Sequence, residues 1–193
     1  MQTLDAISGR RSIRRFQDRP IPRGLIACVL AATVQAPSAK NAQPWRFVVL
    51  EGERRDTLVR IMQEQAVRLK SMGWDIGSLE WTARAMAVAP VTVVVFNAAI
   101  PAGIPAEDHD AYRFVMLQST GGAIQTMLLA AHDLGLGSLW ICDILYATDE
   151  VKAWLGREGE ELVACVSLGY ADESPAARPR RPWQEVTEWE APA

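Results

Sequence analysis

Arg10-Arg11-Ser12-Ile13-Arg14-Arg15, and after it Ala36-Pro37-Ser38-Ala39-Lys40-Asn41-Ala42-Gln43-Pro44-Trp45, are the two stretches on which the fold is decided. Guanidinium groups and a hydroxyl flanking an apolar Ile place several donors shaped for phosphate oxygens in a short segment, whereas Ser38, Asn41 and Gln43 offer neutral donors and acceptors suited to a polar heterocycle. Alone, the first would read as a solvated basic face and the second as turn punctuation. Together, in this order, they point to a phosphorylated aromatic cofactor.

Outward from these stretches the chain alternates helix and strand. Residues 3–8 read as a short helix ended by Gly9, so the Arg cluster begins just beyond a helix C-terminus. Pro22 suits a first helical turn, and Leu25, Ile26, Val29, Leu30, Thr33 and Val34 recur at helical spacing until Pro37. Apolar, β-branched runs at 45–50, 91–96, 138–141 and 162–168 read as strands. Between them, helices are expected at 54–69, 79–89, 111–134 and 149–155. The helix at 111–134 is apolar nearly all round and so is expected to be buried, while Ser119, Gly121, Gly122 and Ala123 would let another backbone approach closely. Segments 71–77 and 98–106 are candidate lids, and the Pro- and Arg-rich tail from Ser174 cannot make a core of its own.

Composition narrows the function classes. With 193 residues, 49% of them hydrophobic and 22% charged, the chain suits one well-buried core, and a single domain over residues 1–193 is expected. A net charge of −3 disfavours general nucleic-acid binding, so the Arg cluster reads as a site and not as a surface field. Cys28, Cys142 and Cys165 lack metal-ligand spacing, and neither a disulfide framework nor a metal site is expected. No N-terminal apolar h-region and no uninterrupted apolar run of bilayer-spanning length is read, so no membrane association is expected and the cytoplasm is the default compartment. His109 and His132 have no partners at metal spacing, and Gly135 and Gly137 do not open a nicotinamide-binding phosphate loop. The chemistry is therefore expected from a cofactor, with no dedicated catalytic side chain.

The order and spacing of the two opening stretches resemble the nitroreductase family of flavoproteins, and the resemblance extends over about residues 3–185. It implies an α+β fold: a mixed β-sheet enclosed by helices, with a long buried central helix at the interface of a homodimer holding two FMN sites. By this resemblance Arg10, Arg11, Ser12 and Arg14 meet the phosphate and ribityl end of FMN, and Pro37, Ser38, Asn41 and Gln43 lie along the flavin, Ser38 and Asn41 approaching it from the subunit opposite Arg10. Arg178 and Arg180 match the family's returning basic contacts, and Trp140, Ile141 and Cys142 lie nearest the central ring, where a backbone amide bonds N5. Trp140 and Cys142-Asp143 replace a Pro and a Glu-Gly pair found in well-studied members, and Cys142 reads equally as an inert strand cysteine. The implied activity is NADH- or NADPH-driven reduction of small nitroaromatic, quinone or related acceptors by a ping-pong cycle. Specialised dehydrogenases, flavin-cleaving relatives and a non-catalytic FMN carrier remain open.

Overall fold

The computed structural model describes residues 2–190. Its centre is β2 (Val91–Asn97), whose Val-Thr-Val-Val-Val-Phe-Asn sequence is buried at every position because helices cover both sides of the sheet. β1 (Trp45–Glu51), β3 (Gly137–Ile141) and β4 (Glu161–Gly169) complete the order β1-β2-β4-β3, and every pairing between these strands is antiparallel. The parallel component expected of a mixed sheet is one bridge, Ser12 to Ser138, made by the Arg segment.

Alternation along β2 divides the core in two. Val94 and Phe96 face α3 (Gly52–Ser71) and α4 (Leu79–Val88), meeting Leu58, Met62, Leu79 and Met86. Val91, Val93 and Val95 face α2 (Arg23–Thr33) and α5 (His109–Asp133), meeting Val29, Ile124 and Met127. In β4, Leu162 and Cys165 share the first side although three positions apart. A register shift explains this: Val95 pairs with Ala164 but Phe96 with Leu162, so a bulge at Val163 reverses the alternation. On the first side, Thr92 and Ser167 sit opposite one another, and their buried hydroxyls satisfy each other at 3.2 Å.

α1 (Thr3–Gly9) and α6 (Thr148–Leu155) complete the regular helices, and the expected elements all occur with ends moved by a few residues. α5 departs from expectation. Its inner side is buried through Met116, Thr120, Ala123, Ile124 and Met127, but Phe114 is 64% exposed and Gln118, Gly122 and Gln125 are exposed, so within one chain it is buried on one side only. By length and composition α5 with its preceding turn also suffices to cross a membrane, contrary to the reading that no such run exists; its inner side is instead part of the sheet's core.

Two close approaches fix the path of the Arg segment. Ile13 and Phe16 turn inward while Arg14 and Arg15 remain at the surface, and Ile13 N donates to Ser138 O at 2.9 Å. Ile13 lies where a Cβ on Gly137 would stand, 2.9 Å away, and Phe16 lies 2.6 Å from the Cβ position of Gly169. Only the absence of a side chain at these strand ends lets the segment lie across them.

Candidate functional site

Arg10, Arg11, Ser12 and Arg14 share a cavity of about 660 Å³ with Arg178 and Arg180. The two basic stretches, at opposite ends of the chain, are joined because residues 12–17 cross the ends of β3 and β4 and the tail leaves from β4. The Arg10 guanidinium is pushed below its usual range by burial, then by Arg180 and by Arg11. Such mutual repulsion among partly desolvated cations is relieved by an anion, so the donor set fits a phosphate.

The arginines play unequal parts. Arg11 Nη1 donates to the carbonyls of Ser8, Gly9 and Arg10 at 2.8, 3.0 and 2.9 Å, closing the C-terminus of α1. Arg14 Nη1 donates to Ser12 O at 3.2 Å, and its guanidinium lies over Trp81, 5.2 Å from the ring centroid. Arg14 thereby opens onto a neighbouring cavity of about 450 Å³ with Trp81, Arg84 and Glu173. None of these three was singled out from sequence. The signal for the first two was present, since Trp81 and Arg84 stand three apart on a helix that should have buried its large aromatic. Glu173, alone in a polar tail, carried none.

Residues 140–142 occupy the far end of β3. Ser138, near the start of the strand, bridges to Ser12, so Cys142, just past the strand's end, stands roughly 13 Å away at the usual rise per residue. Ile141 points into the core and is 2% exposed, leaving its backbone for any ligand, whereas Trp140 and Cys142 are exposed. Desolvation, then the charge of Asp143, pushes the Cys142 thiol up, against a hydrogen bond with Trp140. Asp143 Oδ2 accepts from Ser78 Oγ at 2.7 Å and from Thr82 Oγ1, tying the strand end to the start of α4.

Within the single chain, the stretch from Pro37 to Gln43 is not brought to the Arg cavity. It lies against α5, where Ala39 N donates to Ser119 Oγ at 3.2 Å and Gln43 N to Ser38 Oγ at 3.0 Å. Lys40, Asn41 and Gln43 all have positive φ, at 52°, 55° and 46°. Three such non-glycine residues in four positions form a strained loop of the kind that accompanies ligand sites. Another cavity, about 570 Å³ around Asn97, Arg113 and Glu161, takes in residues 98–100 of a candidate lid but none of the candidate cofactor-binding residues.

Residues 7–170 match the model of the Nitroreductase family. The chain belongs to the nitroreductase family. A Methanothermobacter thermautotrophicus protein with the provisional name NADH dehydrogenase/NAD(P)H nitroreductase is 31% identical over 182 residues, covering 92% of this chain and 82% of its own. Among solved structures, a BluB-like flavoprotein from Clostridium difficile superposes with a TM-score of 0.81 at 28% identity, covering 99% of this chain and 100% of its own. A provisionally named nitroreductase from Desulfovibrio desulfuricans, solved in complex with FMN, gives 0.76 at 27% identity with 99% and 98% coverage. The tail arginines lie beyond the span that matches the family, so their place in the cavity is a finding of the structure itself.

Proposed function

We propose that this nitroreductase is a single-domain, FMN-dependent oxidoreductase that uses NADH or NADPH to reduce small electrophilic acceptors such as nitroaromatics or quinones. The observation that carries the reading is the convergence of Arg10, Ser12, Arg14, Arg178 and Arg180 on one cavity, with Arg10 partly desolvated among like charges. The FMN complex of the Desulfovibrio desulfuricans structure and the provisional nitroreductase name of the Methanothermobacter protein support it.

FMN, when bound, supplies the centre that accepts and donates hydride. The protein's residues bind and orient. Arg10, Arg14, Arg178 and Arg180 hold the phosphate by charge-assisted hydrogen bonds, with Ser12 adding a neutral donor and Arg11 bracing the end of α1. The backbone of 140–142 would border the ring, and Arg84, which shares a cavity with Arg14, would add positive potential for the negative charge of the reduced cofactor. Trp140, exposed at the strand end, shields one side from water. Pro37, Ser38, Asn41 and Gln43 serve the site of a second subunit, which accounts for their separation from the Arg cavity in one chain. Donor and acceptor then occupy the same pocket in turn.

Titration of apo-protein with FMN and riboflavin, followed by visible spectra before and after NADH or NADPH, tests this. Preference for FMN and bleaching by a nicotinamide, with recovery on adding a nitroarene or quinone, is expected. Equal affinity for the two flavins would remove the phosphate site, and bound FMN that neither nicotinamide bleaches would make the protein a carrier.

A further inference from the structure

We propose that Glu173 is a positioning residue which clasps the Arg10–Arg15 segment to the root of the C-terminal tail, and that the phosphate-holding arrangement depends on it in spite of its negative charge. The inference rests on the phosphate-end reading of the Arg cavity.

Glu173 Oε1 accepts from two consecutive backbone amides, Arg14 N and, at 3.1 Å, Arg15 N, while Oε2 lies 3.5 Å from Arg15 Nε. The side chain is 18% exposed, so the carboxylate is largely removed from water by the segment it holds. Adjacent bonds continue the seam: Asp172 N donates to Arg15 O at 3.0 Å, and Gln17 N and Nε2 donate to Tyr170 O and Ala171 O, each at 2.9 Å. Beyond this point the tail from Ser174 to Pro182 has no regular structure, yet it carries Arg178 and Arg180 to the cavity. Among the described residues, Glu173 is the last of the tail bonded to the Arg segment.

A carboxylate held against the Arg10–Arg15 segment weakens the attraction of its arginines for phosphate if only charge is considered. Its geometric role acts in the opposite direction, because two amides fixed on one oxygen set the direction in which Arg14 leaves the backbone and the point from which the tail arginines start. The two effects predict opposite results on neutralisation.

The test is E173A and E173Q in the full chain, read by hydrogen exchange at the Arg14 and Arg15 amides and by FMN and riboflavin titration. In E173A both amides exchange faster and FMN binds roughly tenfold more weakly, the equivalent of one charge-assisted hydrogen bond, with riboflavin affinity unchanged. E173Q lies between, since the Gln carbonyl still accepts from both amides. FMN bound as tightly as or more tightly than by wild type, or unchanged amide exchange, overturns the proposal. If E173A does not fold, E173Q decides by the same two readouts. Should wild type bind riboflavin as tightly as FMN, the cofactor reading fails while the exchange rates still decide the clasp.

Discussion

At the scale of single residues, Arg10 is where charge and burial meet. Held below its usual range by burial and by Arg180 and Arg11, it gains most from a bound anion. Arg10→Ala is expected to weaken FMN binding by about ten- to a hundredfold, the range of one to two charge-assisted bonds, with a smaller loss for Arg14→Ala, whose guanidinium also rests on Trp81. The loss grows as salt is lowered, because added salt screens the wild-type attraction. Arg60→Ala, on the exposed side of α3, serves as the control; fluorescence titration at two salt concentrations showing wild-type affinity in both cluster variants contradicts the assignment. Cys165 yields a prediction of another kind. Its thiol is fully buried and pushed well above the ordinary range, by desolvation first and then by Cys142 and Asp143. The unfolded chain therefore loses this proton at lower pH than the folded one, and stability present below the ordinary thiol pKa of about 8.5 declines as pH rises above it. Urea midpoints from pH 7 to 10 should fall, and Cys165→Ala should fall less steeply. A parallel pH dependence would exclude Cys165 as the source.

At the scale of elements, the site is built by one short segment lying across two strand ends. Two apolar residues three apart, Ile13 and Phe16, interrupt its run of arginines because they enter the core while the arginines stay out. The fit is tight at Gly169, where an added Cβ would come within 2.6 Å of Phe16 and 2.7 Å of Pro90, both stiff rings. Gly169→Ala is expected to cost about 1–3 kcal/mol of stability by overpacking and to loosen FMN binding through the displaced Arg segment. Chemical denaturation beside flavin titration separates the two effects. Unchanged stability would mean that the segment lifts off without loss. The strained loop at 40–43 was invisible in sequence, where Lys40 and Gln43 carry no mark of positive φ; its conformation follows from the bonds of Ser38 and Ser119.

At the scale of the whole molecule, the proposed second subunit would pack on the exposed side of α5, which carries no cover within one chain. Phe114, Gln118, Gly122 and Gln125 follow one another along the helix at intervals of three and four, leaving a shallow track on its outer side. A Cβ on Gly122 would meet no atom within 4 Å in the single chain. Gly122→Leu is therefore harmless to an isolated subunit, and gains helix propensity, but obstructs a second copy packed closely on this track. Light scattering is expected to show a dimer for the wild type and a shift to monomer for Gly122→Leu, with FMN lost in parallel as Ser38 and Asn41 are withdrawn. A wild-type monomer that retains FMN would refute the shared site.

The sequence by itself determined the elements and the donors. Strand and helix periodicity place β1 to β4 and α1 to α6 within a few residues, since apolar spacing is a local property that burial on two sides of a sheet demands. The Arg, Ser and Asn residues likewise point to phosphate and heterocycle chemistry by their types taken with the order of the two stretches. Tertiary structure decided everything that depends on what lies opposite. The crossing of residues 12–17 over Gly137 and Gly169 supplies the physical reason that arginines from both ends of the chain share a cavity, which in sequence rested on resemblance. Only the antiparallel order of the strands shows that the mixed character is confined to Ser12 and Ser138. Glu173 acquires meaning only from its neighbours, because a carboxylate on two amides of a distant segment is a relation that no local pattern encodes, and the helical pair Trp81 and Arg84 gains its place at the site only from Arg14 lying over the ring.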